Sequence, residues 1–275
     1  MDKTTYYLSQ VWDSVATDFG SVEPSIWSIS GEKLVSYSKI KYGSKVLDIG
    51  TGKGATLIPI SKTIGPQGTV IGVDLSISMV NYTNKLINEL NLENCQILHI
   101  NAADLNFPQD YFHHMVAGFS LRYFLQNAEI FHRLIKPLKP AGTLSFTLWA
   151  PDAHDVDMDC IISRYIDLIP SAVNELDTDK EPLTTAHDIE NRLKFLDMHD
   201  ICVQVMDEPI IYSCFDDVFK EFWNSQYRVN MEKIMSLGKN IYEDFYNSLS
   251  FYFERFRVRE GIKLTWKVLY AVCKK

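Results

Sequence analysis

The stretch from Val46 to Gly54, Val-Leu-Asp-Ile-Gly-Thr-Gly-Lys-Gly, is the densest run of chemically useful residues in the chain. Glycine permits tight turning and close approach of a ligand to the backbone, and a helix beginning beyond such a turn offers free N–H groups. Gly50, Gly52 and Ala55 by themselves fit the G-x-G-x-x-A form of a dinucleotide fingerprint. Three carboxylates bear on the choice of ligand. Asp48 stands two residues before Gly50, where it would repel a pyrophosphate and welcome an ammonium group. Asp74 closes a second apolar run and can accept both hydroxyls of a ribose. Asp104, in Asn101-Ala-Ala-Asp-Leu, can accept a hydrogen bond from an adenine amine. An ammonium, a ribose and an adenine, with no phosphate, describe S-adenosylmethionine.

These residues need a frame that brings them together. KVLDIG is a short apolar strand, GTGKG a glycine turn, and ATLIPISKTIG a helix that closes on a glycine. GTVIGVDL is a second strand, followed by a helix from near Ser76 to about Leu90. CQILHINAAD supplies a third strand and a loop, HMVAGFSL a fourth strand, AEIFHRLIKPL a helix and GTLSFTLWA a fifth strand. Strands alternating with helices in this way predict βαβ crossovers and a doubly wound parallel sheet, an α/β fold. Thr185 and Asp188 have capping-box spacing at the start of a helix. ICVQVMDE reads as a sixth strand, residues 215–259 as helical and rich in aromatics, and LTWKVLYAV as a final strand.

With these motifs the sequence resembles the class I S-adenosylmethionine-dependent methyltransferases, in the broad group that includes quinone-biosynthesis C-methyltransferases and many small-molecule methyltransferases. VLDIGTGKG resembles the group's first motif, GVDLS with Met79 its second, NAADLNFPQDYF its third, and RLIKPLKPAGTL the stretch before strand five. The likeness covers about residues 40–150 and implies a mostly parallel sheet of seven strands. Its last strand would lie antiparallel between two others, pairing LTWKVLYAV with ICVQVMDE. It also implies cofactor contacts from Asp48, Gly50, Thr51, Gly52, Asp74, Leu75, Met79, Ala103, Asp104, Leu105 and Phe119. Three departures from the pattern, His113 after Phe112, Ala141 before Gly142, and Met198-His199 before strand six, fall outside those contacts.

Methyl transfer from a sulfonium needs alignment in a dry pocket, and a base only where the nucleophile arrives protonated. Acceptor-side candidates lie beyond the fourth and fifth strands: Arg122, Tyr123 and His154, each with a bland alternative as a surface or structural residue. His113 and His114 are adjacent, so on an extended segment they point apart, and no metal site is expected. The aromatics from Phe215 to Phe256 read either as packing of cap helices or as the lining of an apolar pocket. Tyr6, Tyr7, Trp12 and Phe19 would close the site from the N-terminal side.

Composition is consistent with this and excludes little more. The chain has 275 residues, 46% of them hydrophobic, and a net charge of −8, which speaks against a nucleic-acid backbone as partner. No apolar run nears the roughly 20 residues that span a bilayer, and the first residues lack a secretory pattern, so a cytoplasmic location is expected. Five scattered cysteines read as small buried hydrophobes. The organisation expected is an N-terminal helical lid over 1–40, a cofactor-binding core over 41–150, a helical insertion over 151–200, and last strands with an aromatic cap over 201–275. The acceptor is expected to be a small apolar or aromatic metabolite methylated on carbon or oxygen, with homodimer formation possible. Two other readings stay open: the same fold using its cofactor as a scaffold, for example for a cyclisation, and a nicotinamide-dependent oxidoreductase.

Overall fold

The computed structural model describes residues 3–151, 153–169, 183, 185–225 and 227–275, and only the backbone of 3–8, 123 and 153–156. Its centre is a sheet in the order β3-β2-β1-β4-β5-β8-β6, formed by β1 (Lys45–Ile49), β2 (Thr69–Asp74), β3 (Cys95–His99), β4 (Phe112–Gly118), β5 (Leu138–Trp149), β6 (His199–Tyr212) and β8 (Gly261–Lys274). A two-residue β7 (Arg257–Val258) pairs with β8 at its start. The first five strands pair in parallel, and β8 runs antiparallel between β5 and β6. This is the mostly parallel seven-stranded arrangement, with its C-terminal hairpin, that the motifs imply.

Strand interiors are apolar on both faces because helices cover both sides. Val46, Val70, Val116 and Val268 belong to one core, while Leu47, Ile71, Met115, Phe146 and Leu269 point to the other. The first face receives α2 (Ile26–Tyr37), α3 (Leu57–Ile64) and α4 (Ile77–Glu89). The second receives α6 (Ala128–Leu134) and α8 (Ala186–Phe195). Side-chain caps fix several starts: Ser76 accepts from the Met79 N–H, Asn127 from Ile130, and Thr185 with Asp188 forms the expected capping box.

Some boundaries differ from the sequence expectation. The helix before β5 stops at Leu134 and the strand begins at Leu138, because Pro137 and Pro140 lack the N–H a helix requires and Leu138 pairs with Phe112 beside a bulge. The helical run over 215–259 is three helices, α9 (Phe215–Trp223), α10 (Arg228–Ser236) and α11 (Lys239–Phe253), with Gly238 at φ +108° separating the last two. The strands β6 and β8 are each 14 residues long, exceeding the expected segments, since each extends the other's ladder from His199–Lys274 to Tyr212–Ile262. The cysteines are not uniformly buried. Cys273 is, but Cys95 is half-buried and Cys160, Cys202 and Cys214 are exposed; Cys202 lies on the edge strand β6, and Cys214 on the loop that caps α9.

Within the acidic stretch 152–183, α7 occupies Ala153–Ile166, and residues 170–182 lie outside the described residues. Two further helices are α1 (Lys3–Val15), of 13 residues, ahead of α2, and the short α5 (Arg122–Leu125) ahead of α6. Chain order reverses between β1 and β4, so the carboxyl ends of β1, β2, β4 and β5 surround the crevice where open α/β sheets bind ligands.

Candidate active site

Asp48 is the last residue but one of β1 and is fully buried under the glycine turn. Its Oδ2 accepts from the Thr51 hydroxyl at 2.6 Å and its Oδ1 from the Thr56 hydroxyl at 2.7 Å. Burial pushes its carboxyl up to about 6, against the two hydroxyls, which favour the ionised form; the charge of Asp74 pushes it further up. Asp48 therefore shapes the turn from beneath and does not present a free carboxylate at its surface. Above it, the N–H groups of Gly50 and Thr51 donate to the Val73 carbonyl at 2.8 and 3.0 Å. Gly50 has φ +65°, and a Cβ there would lie 2.5 Å from that of Ser120. Gly52, at φ +51°, has nothing within 4 Å of the corresponding position. That open backbone is a cradle against which a ligand can lie.

Asp74 stands half-buried at the end of β2, next to this cradle. Its Oδ2 accepts the Gly52 N–H at 2.8 Å and its Oδ1 the Ser76 N–H at 2.9 Å, while burial raises its carboxyl above the usual range. Leu75 follows, half-buried, its carbonyl 3.0 Å from His99 Nε2. Ala103 and Asp104 lie on a 3-10 turn after β3; Ala103 N–H donates to Asn101 at 2.9 Å and the Asp104 side chain is exposed. Leu105 packs on the second core. Met79 is buried against Val15 and Ala16 of the N-terminal segment.

That segment is fastened to the turn. Asp13 on α1 accepts from the Ser76 hydroxyl at 2.5 Å and the Ser78 N–H at 3.0 Å. Lys53 donates to the carbonyls of Thr17 and Phe19, at 3.1 and 2.9 Å, and its ammonium sits 4.1 Å from the Tyr82 ring centroid. Trp12 packs edge-on to Phe19, which rests on Trp27 with ring centroids 4.6 Å apart.

An aromatic wall rises from the ends of β4 and β5. Phe119, at φ +58°, stacks on Trp149 at 4.2 Å, and Trp27 stands edge-on to both at 5.2 and 5.5 Å. Trp266 adjoins Trp149 at 5.4 Å and Phe222 of α9 at 5.5 Å. The neighbouring Ser120 hydroxyl donates to the Ile49 carbonyl, so the wall and the glycine turn are joined by one residue. Of the other aromatics of 215–256, Phe215, Phe245 and Phe253 follow the packing reading, whereas Phe251 is exposed and fits neither.

The profile of the ubiE/COQ5 methyltransferase family matches residues 1–154. The chain belongs to that family. Its members are S-adenosylmethionine-dependent methyltransferases. Demethylmenaquinone methyltransferase of Listeria welshimeri is 32% identical over 107 residues, a match spanning 39% of this chain and 45% of that protein. Aklanonic acid methyltransferase DauC of Streptomyces sp. strain C5 is 26% identical over 168 residues, 61% of this chain and 76% of that one. Among solved structures, the YcgJ protein of Bacillus subtilis shares the fold at a TM-score of 0.59 and 18% identity, over 90% of this chain and 98% of that one.

For this family member the acceptor-side residues are less gathered than those of the turn. Arg122 is exposed at the start of α5, and the side chains of Tyr123 and His154 lie outside the described residues. His154 is not on a loop, as its position after β5 implied, but in the first turn of α7. His113 and His114 do point apart, His113 to the Lys45 N–H at 3.0 Å and His114 to Thr143 at 2.6 Å. Sequence reasoning missed Asp13, Trp27, Lys53 and, above all, Glu221. Glu221 is 4% exposed, and its Oε1 accepts from Trp27 Nε1 at 2.7 Å. A carboxylate three residues after Val218 and beside Phe222, on the apolar stripe of α9, was the available signal.

Proposed function

We propose that this protein moves a methyl group from S-adenosylmethionine to a small apolar or aromatic acceptor, at carbon or oxygen, the acceptor being a natural product or quinone-like precursor. The observation that carries the acceptor class is the stacked pair Phe119–Trp149, set at the ends of β4 and β5 and joined to the glycine turn through Ser120. A pocket lined by aromatic faces with few polar groups selects a flat apolar ligand. The names of the demethylmenaquinone and aklanonic acid methyltransferases support the same class. The net charge of −8 goes with a small-molecule acceptor rather than a nucleic acid.

The cofactor supplies a methyl carbon bound to a positively charged sulfur that departs neutral. What supports the fit is the open backbone of Gly52 beside the Asp74 carboxylate. The reading assigns the cofactor to Gly50, Thr51, Gly52 and Asp74, and to Leu75 and Met79 after β2, Ala103, Asp104 and Leu105 after β3, and Phe119 after β4. Asp48 holds the turn in shape through Thr51 and Thr56. The segment 1–40 acts as a lid, its contacts from Asp13 and to Lys53 excluding water from the crevice. Residues 41–150 carry the cofactor, and the parts 151–200 and 201–275 complete the acceptor side with helices and the last hairpin. Rate comes from alignment of acceptor and methyl carbon in that dry space.

A mass-shift screen with methyl-labelled cofactor tests the reading. Hydroxynaphthalenes and polycyclic phenols should gain the labelled methyl. Label appearing only on aliphatic or charged acceptors, or cofactor bound and never consumed while a substrate rearranges, would dismiss it.

A further inference from the structure

Beside the aromatic wall lies a buried acid with no role in cofactor contact. Glu221 reaches inward from α9, held by Trp27 Nε1 through one oxygen; among the described residues its other oxygen, Oε2, has no hydrogen-bond partner. Trp27 is itself the ring set edge-on to Phe119 and Trp149. On the sheet side, Tyr212 faces the acid from the end of β6, with its hydroxyl accepting from Trp266 Nε1 at 3.1 Å. The charged group acting on it from outside α9 is Glu23, ahead of α2; along α9 its neighbours are Asp217 and Lys220. A buried carboxylate is costly unless paired, and among the described residues Trp27 is the hydrogen-bond partner of Glu221.

We propose that Glu221 is the proton acceptor for a hydroxylated aromatic acceptor lying against Phe119 and Trp149. The proposal rests on the methyltransferase reading above. The hydroxyl O–H bond breaks and its proton joins Oε2. On the oxygen route the electron pair stays on the oxygen, which takes the methyl. On the carbon route it conjugates into the ring, a ring carbon takes the methyl, that carbon's own proton is then lost and the ring O–H re-forms. Either route releases one net proton to solvent. Burial, more than the repulsion of Glu23, pushes the Glu221 carboxyl up to about 7, and the Trp27 bond restrains the rise. A base that titrates near neutrality suits a weakly acidic phenol.

The test reads the carboxyl directly, without turnover. Difference infrared titration of the full chain against Glu221→Gln, from pH 5 to 9, should show one carboxyl ionising near pH 7 that the variant lacks; Gln keeps the acceptor for Trp27. Adding 1,4-dihydroxynaphthalene should lower that midpoint by at least half a unit, because a hydroxyl donor favours the ionised form. 1,4-Dimethoxynaphthalene, with no proton to give, should not lower it. The inference is overturned if the two probes shift the midpoint alike, if neither shifts it, or if 1-naphthylmethylamine binds in preference, making Glu221 a counter-ion. Calorimetry with S-adenosylmethionine on the same samples separates the two ideas: cofactor binding without the probe effect sinks the Glu221 proposal alone, and absence of cofactor binding sinks the methyltransferase reading.

Discussion

The hydroxyl of Thr56 and the carboxylate of Asp48 lie 2.7 Å apart beneath the glycine turn, with Thr51 completing the pair of donors. Thr56→Val keeps the shape and removes one donor from a fully buried acid. The loss should be about 1–3 kcal/mol when Asp48 is ionised. Its folded carboxyl already sits at about 6, above the ordinary 3.8, so the native state holds a proton that the unfolded chain has released in that window. Stability accordingly falls as pH rises through it, and the variant's penalty should be large at pH 8 and shrink toward pH 5. Urea denaturation at the two pH values checks this; equal losses would contradict it.

Lys53 ties the N-terminal segment to the turn through the carbonyls of Thr17 and Phe19. Lys53→Met removes both bonds, each about 1.5–3 kcal/mol for a charged donor before solvent screening. Amide hydrogen exchange over residues 13–20 should accelerate about tenfold or more while the sheet is unchanged. Unaltered exchange there would mean that Asp13 and the aromatic contacts alone hold the segment.

Glu221 makes a second prediction about stability, of the same sign as that of Asp48. Its carboxyl rises from 4.5 to about 7 on folding, so the native state keeps a proton over that window and stability declines as pH climbs through it. The full decline is about 3 kcal/mol. Glu221→Gln removes this share of the slope and leaves that of Asp48: the variant should melt higher than the parent at pH 8 and alike at pH 5. Parallel melting curves across the range would contradict the burial assigned to this acid.

Trp149→Ala removes the stacking partner of Phe119 and leaves the turn untouched. An aromatic pair contributes about 0.5–1.5 kcal/mol beyond its buried area. The KM for an aromatic acceptor should rise several-fold with cofactor affinity unchanged. A matching loss of cofactor affinity would show that the wall supports the turn rather than the acceptor.

What was legible in the sequence is local. β1 and β2 are apolar runs that carry an acid at or next to their last residue and then turn, and Thr185 with Asp188 carries its cap within four residues. The C-terminal hairpin was reached by resemblance, since its two strands are separated by three helices. Burial of Asp48 was not legible, because the hydroxyls that satisfy it, Thr51 and Thr56, also fit an ordinary turn and helix start. The Trp27–Glu221 bond joins residues 194 positions apart, and only packing of α9 against the N-terminal segment creates it. The acid's place on an apolar helical stripe was the one trace left in the sequence. The prolines at 137 and 140 carried the true end of α6, but the apolar spacing through Leu138 obscured it.

Asp74 is the residue on which the cofactor assignment turns, being the carboxylate beside the open backbone of Gly52. Isothermal calorimetry of the full chain with S-adenosylmethionine, alongside Asp74→Ala and with NADH as control, measures it. Saturable binding of S-adenosylmethionine, weakened by about 1.5–3 kcal/mol in the variant, with no heat from NADH, is the predicted result. Equal affinity in parent and variant, or binding of NADH in place of S-adenosylmethionine, would contradict it.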